Sequence, residues 1–303
     1  MQMDCVCRVP GDHPAMTTRL LDRSATSPRF EIGINAGNLD RLPTHSSVPR
    51  NGSEVDLAQV KAAGFSAYQG DVAAARSHNW PAYAGGRVNA TGEIGKLATA
   101  WKDGGYLAAT LHVGWGHEDD ATADAIIGDI LETEARVGLP LFVETHRATL
   151  TQDTWRTVQL VKRHPDLRFN ADFSHWYTGL EMVYGDFNAK LDFLQPVFDR
   201  VKFFHGRIGH SGAMQAPWDD PGMARSIPHF QEMWTRAMAG FRRHAAPGEI
   251  LPFMCELLGE HINYQPRLPI GDGGWIEGGD RWAEALKMAD FARTCWSASA
   301  TMQ

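Results

Sequence analysis

Short apolar runs alternate with longer amphipathic stretches along most of this chain, and that alternation restricts its folds more than any other feature. Runs at 30–35, 65–70, 106–112, 140–144, 167–172, 201–205 and 250–256 read as strands, and a weaker one near 84–89 completes eight. Helical periodicity fills the intervals at 54–63, 92–103, 119–137, 186–198, 228–245 and 280–296. In 119–137, Ala123, Ile126, Ile127, Ile130 and Val137 share one face, and Gly138 can stop the helix. The run 149–152 (TLTQ) reads as a capping box opening a helix that carries Trp155, Val158 and Val161. In the last helix Trp282, Leu286 and Ala289 face inward.

Continuously apolar strands between amphipathic helices indicate an α/β protein with a parallel sheet covered on both faces. Eight such units in 303 residues predict a (β/α)₈ barrel filling 29–303, after a flexible tail at 1–28. An open doubly wound sheet is the competitor, but no G-x-G-x-x-G follows the first strand. In the tail, Met16 is a candidate start, and Cys5 and Cys7 read as incidental.

Four runs end on a polar residue: Glu144 in LFVETHR, Asp172 in FNADFSHW, His205 in VKFFHGR and Glu256 in PFMCELLG. In a barrel all C-terminal strand ends meet at one rim, so these distant residues are expected to converge. Three carboxylates and an imidazole crowded there would repel one another and raise their pKa values. A divalent cation removes the conflict, and oxygen ligands with one nitrogen suit Mn²⁺, Mg²⁺, Co²⁺ or Zn²⁺. Taken singly, each residue could equally cap or solvate its own strand.

The motifs VETHR, NADFSHW, FFHGRIG and PFMCELLG resemble, in order, the metal-bearing strand ends of the xylose-isomerase-like TIM barrel superfamily. That superfamily includes sugar isomerases, ketose 3-epimerases, inosose dehydratases and endonuclease IV. The likeness spans roughly 30–296 and is concentrated in 140–260. It implies that Glu144, Asp172, His205 and Glu256 hold one divalent ion, Mn²⁺ first among the four, and that His175 contacts substrate or a metal. Glu144 and Glu256 would be the acid/base pair. Arg207 resembles an arginine common in the sugar phosphate isomerase/epimerase branch, facing a substrate oxygen or forming a surface ion pair.

The implied function is isomerisation or epimerisation next to a carbonyl of a sugar, keto-sugar or polyol derivative. Dehydration of a keto-sugar or inosose uses the same parts; a non-catalytic sugar-binding barrel or a phosphodiesterase is the remoter alternative. The nuclease branch carries an Asp-x-His pair after its strand-seven histidine, which HGRIGHSGAMQAPWDD lacks; His210 and Asp219 would have to substitute. His112, Trp115 and Trp176 are further candidates for contacting substrate at the rim, and His146, Glu260 and His261 lie close in sequence to ligands.

A net charge of −7 with no Lys/Arg block argues against nucleic acid as a partner. No apolar stretch is long enough for a membrane span, and no signal peptide is legible. With four cysteines, of which Cys255 and Cys295 sit in apolar runs, the chain reads as reduced and cytoplasmic. The expected partner is a small carbohydrate or polyol. Members of that superfamily are often dimers or tetramers, so a homo-oligomer is compatible with the resemblance, but neither oligomeric state nor an interface is legible in the sequence.

Overall fold

A computed structural model describes residues 18–271 and 273–302. Eight parallel strands close into a barrel: β1 (Arg29–Asn35), β2 (Ala67–Gln69), β3 (Ala82–Val88), β4 (Ala108–Val113), β5 (Leu141–Glu144), β6 (Phe169–Ala171), β7 (Val201–Gly206) and β8 (Ile250–Cys255). Each strand pairs in parallel with the next, and β8 closes on β1 through Arg29↔Ile250 to Ile34↔Cys255. The outer helices are α1 (Leu57–Ala62), α2 (Val72–Ser77), α3 (Ile94–Gly104), α4 (Asp120–Val137), α5 (Thr154–Arg163), α6 (Phe187–Phe198), α7 (Met223–His244) and α8 (Arg281–Ala298). The expected (β/α)₈ barrel is therefore the observed one.

Local chemistry explains most boundaries. Asp119 accepts from the Thr122 amide at the start of α4, and Gly138 ends the helix with φ 69°, a left-handed conformation that glycine adopts without a Cβ clash. The capping box at 149–152 is not formed. Asp153 caps α5 instead, accepting from the Arg156 amide, while the Thr149 hydroxyl donates to the His146 carbonyl and the Gln152 amide to the Gly116 carbonyl. The start therefore moves past 152, and Trp155 turns outward at 62% exposure. Helix α7 begins at Met223 rather than 228, taking Pro228 inside it.

Two features of the barrel position the site. Its interior floor is an apolar plug of Ala67, Tyr83, Ala108, Phe142, Phe203 and Met254, which closes the lower half of the barrel to water. Below it, Leu20 is buried and its carbonyl accepts from the Ile250 amide at 2.9 Å, while the Asp22 amide donates to Gly248 O at 2.8 Å. Residues 18–28 are thus fastened across the N-terminal face rather than hanging loose as expected of 1–28. Met16, Cys5 and Cys7 lie outside the described residues. Among the described residues, no helix is long and apolar enough to cross a membrane.

Candidate metal centre

The four strand-end residues converge. Glu144, Asp172, His205 and Glu256 each offer a ligand atom, and these atoms all lie within 4.8 Å of one another. Glu144 ends β5 and accepts from Asn170 Nδ2 at 3.0 Å, the neighbour brought level with it by the β5–β6 register. Asp172 follows β6 directly. The Ser174 amide and hydroxyl both donate to its Oδ1, which turns Oδ2 toward the centre. His205 lies in β7 with Nδ1 3.2 Å from Glu144 Oε2 and 3.1 Å from Glu256 Oε2. Glu256 follows β8 and remains slightly open, its side chain 12% exposed.

Burial and mutual contact fix the charge states. Burial opposes ionisation of Glu144, but His205 and then His112 outweigh it and hold the carboxyl well below its ordinary range. Burial also opposes ionisation of Asp172, and there Arg207 and His175 prevail. For His205, burial disfavours the cation, yet Glu256 and Glu144 together push its pKa up to about 10. Crowding therefore does not raise the Glu144 and Asp172 values as expected, because cationic partners stand between the carboxylates. Even so, three carboxylates face the centre against one guanidinium and one imidazolium.

The donor set fits a hard divalent cation: three carboxylates and one imidazole nitrogen in the space of a single ion. Two atoms at the centre support the fit. His205 Nδ1 and Asp172 Oδ2 are both buried and without a hydrogen-bond partner, and buried polar atoms are rarely left so. A second group, His112, Glu144 and His146, also brings its ligand atoms within 4.8 Å.

The other candidates divide. His112 stands level with Arg87 on β3 and places Nε2 3.4 Å from Glu144 Oε1. His146 fills the gap between His112 and His175, with ring centroids 4.1 and 3.8 Å away, and burial, then His175, pushes its pKa down to about 3. His175 lies in the short helix Ser174–Gly179 that follows β6, fully buried, with Nε2 3.3 Å from Asp172 Oδ2. Arg207 is no surface group: it is 2% exposed, 3.2 Å from Asp172 Oδ2, also bonded to Glu256, and stacked on Tyr264 at 4.5 Å.

Trp176 does not reach the mouth. It is fully buried against Phe173 and donates to Thr151 O at 2.7 Å, because the helical turn after β6 directs it outward from the barrel axis into the core. Trp115 does lie at the rim, 50% exposed beneath the Arg87 guanidinium at 4.3 Å. His210 faces Asp220 at 3.7 Å, Glu260 pairs with Arg267, and His261 lies 3.3 Å from Asp40, so all three serve outer loops.

A cavity of about 620 Å³ opens above the cluster on the β1–β4 side, and Glu144, His205, Glu256 and His112 line it. Gln69, Gly85, Arg87 and Tyr106 also line it and were not anticipated from the sequence. Gly85 removes an inward side chain where neighbouring strands carry Gln69 and Thr110, so the space above the floor stays open. Asn35 and Gln69 also escaped notice, because single amides at strand ends have no motif of their own.

No protein-family model matches the chain, and no curated protein sequence does. Among solved structures, it is similar to a xylose isomerase-like TIM barrel protein from Mycobacterium smegmatis in complex with magnesium, with TM-score 0.51 and 12% identity over 88% of this chain and 97% of that one. That likeness is one of fold. A xylanase from Cellvibrio japonicus (TM-score 0.40, 10% identity, 77% of this chain and 87% of that one) and a dihydrodipicolinate synthase from Agrobacterium tumefaciens (0.37, 14%, 94% and 78%) match more loosely.

Proposed function

We propose that this chain is a divalent-metal-dependent isomerase or epimerase that moves a proton next to a carbonyl of a sugar, keto-sugar or polyol derivative. The observation that carries the reading is the convergence of Glu144, Asp172, His205 and Glu256 within 4.8 Å at the open end of the barrel. A cation held by these four would supply Lewis-acid polarisation of a carbonyl and its neighbouring hydroxyl. Glu144 at the end of β5 and Glu256 just after β8 border the cavity from separate parts of the rim. Ionised as it is, Glu144 can accept a proton from the substrate carbon; Glu256, after taking up a proton from solvent, would return it from another side, which is the requirement for inversion.

His112, beside Glu144, and Arg87 in the cavity lining orient the hydroxyls. Arg207 and His175 hold Asp172 in place and keep it ionised. The apolar floor of Phe142, Phe203 and Met254 keeps bulk water from the reacting carbon on the lower side. The proposal includes a cytoplasmic setting, in which Cys255 and Cys295, both fully buried and unpaired, act as small core residues.

Elemental analysis followed by incubation of the Mn²⁺-loaded chain with ketoses and inososes in D₂O tests this reading. One ion per chain and deuterium at the carbon beside the carbonyl are expected. Release of water from the substrate would replace isomerisation by dehydration. Two ions, with the His112–Glu144–His146 group occupied, would favour phosphodiester chemistry instead. Bound metal without exchange on any substrate would leave a sugar-binding barrel.

A further inference from the structure

The direction of one hydrogen-bond chain can be fixed without seeing a hydrogen. The Gly37 backbone amide can only donate, and it reaches Asn35 Oδ1 at 2.7 Å. Asn35 must therefore present its Nδ2 to the barrel, where Glu256 Oε1 and Gln69 Oε1 each lie at 3.0 Å. A carboxylate only accepts, so Glu256 requires the same orientation. The Gln69 amide is in turn fixed with Oε1 toward Asn35. Its Nε2 end independently agrees, donating to Ala84 O at 3.3 Å and to Thr110 Oγ1 at 2.9 Å.

Gln69 Oε1 then lies 2.7 Å from His205 Nε2. An oxygen already accepting from Asn35 can take another donor but can give none, so His205 Nε2 must carry the hydrogen. The remaining nitrogen, Nδ1, is the one that faces Glu144 and Glu256 and lacks a hydrogen-bond partner. Gln69 is 5% exposed and gripped at both ends, so its amide cannot turn over without breaking several contacts.

We infer that Asn35 and Gln69 are positioning residues for the metal centre: Gln69 fixes the tautomer of His205 so that Nδ1 is the ligand atom, and Asn35 ties that lock to Glu256. The inference rests on the metal reading above. Its physical content is that β1 and β2, which supply no ligand, set the orientation of ligands supplied by β7 and β8. Loss of such an outer partner weakens metal binding by about 10–100-fold in comparable sites.

The test is calorimetric titration of the full chain with Mn²⁺, comparing wild type, Gln69→Leu and Gln69→Glu, with thermal melts to verify folding. Gln69→Leu should bind Mn²⁺ roughly 10–100-fold more weakly. Gln69→Glu, whose carboxylate still accepts from Nε2, should recover most of that loss, which a purely packing role would not produce. In the Zn²⁺-loaded wild type, long-range ¹H–¹⁵N spectra should show His205 with hydrogen on Nε2 only. A folded Gln69→Leu variant that binds as tightly as wild type, or a loaded His205 with hydrogen on Nδ1, overturns the inference alone. A wild-type chain that binds neither metal overturns the metal reading and the inference with it.

Discussion

The two ends of the barrel both bury charge, but they balance it differently. At the N-terminal face Glu249 pairs with Lys202 at 3.0 Å and with Arg19, and it accepts from the Ala246 amide at 2.8 Å. Glu134 pairs there with Arg168. There two carboxylates meet three cations. At the C-terminal rim, Glu144, Asp172 and Glu256 meet one guanidinium, Arg207, and histidines that are cationic only while protonated. Buried charge alone therefore does not mark a cation site; a buried excess of carboxylates does, since burying unpaired charge costs several kcal/mol per ion. The rim has carboxylates to spare for a cation, and the bottom has none.

The largest expected effect breaks the upper cluster. Asp172→Asn should abolish stoichiometric Mn²⁺ uptake, a greater loss than the roughly 10–100-fold attached to an outer partner. Elemental analysis and titration check it, and unchanged stoichiometry and affinity would remove Asp172 from the ligand set. Glu249→Ala is the matched change below. It strands Lys202, whose side chain is only 10% exposed, and should cost about 3–5 kcal/mol in denaturant unfolding. Its Mn²⁺ affinity should stay at the wild-type value, and a parallel loss would show that the two ends are coupled.

The difference between the ends also decides what the sequence could reveal. The barrel was legible because most strands read as short, mainly apolar runs between amphipathic helices, as in Val201–Gly206, where every residue is buried. The ligand set was legible because barrel geometry gathers strand ends at one rim, whatever their separation in sequence. The bottom cluster was not, since Glu134 lies in α4 and Arg168 just before β6, with no spacing rule joining them. Residues 18–28 carry too little apolar character to signal docking, and only Leu20 is buried among the plug residues. Trp176 was misplaced because its sequence position gives no account of the helical turn that follows Asp172 at once.

pH sharpens the comparison by titrating the rim. In the metal-free chain, the His205 pKa is raised from 6.5 to about 10, so its stabilisation is full below 6.5 and is lost as pH rises through 10. His146 behaves oppositely. Its pKa is lowered from 6.5 to about 3, so stability is lost as pH falls from 6.5 toward 3, when the unfolded chain takes up a proton that the fold refuses. Unfolding free energies measured from pH 4 to 10 without metal should pass through a maximum near 6.5. His146→Asn should flatten the acid limb and leave the alkaline one. An unchanged acid limb would mean that His146 is not held neutral.

The smallest expected effect concerns the rim's outer edge, where Trp115 and Arg87 stack at 4.3 Å. Trp115 is half exposed, and such a cation–π contact is worth about 0.5–1 kcal/mol. Trp115→Ala should therefore cost no more than that in stability and leave Mn²⁺ affinity within twofold, because no ligand touches it. Its consequence lies in what Arg87 does next. The guanidinium donates to Gly114 O at 2.7 Å and lines the cavity, so losing the ring beneath it frees a cation that is otherwise held in one pose. If Trp115 serves only to hold Arg87, Trp115→Ala and Arg87→Ala should raise KM for the identified substrate by similar factors and the double variant by no more than either. Additive losses would instead assign Trp115 a contact of its own with the sugar.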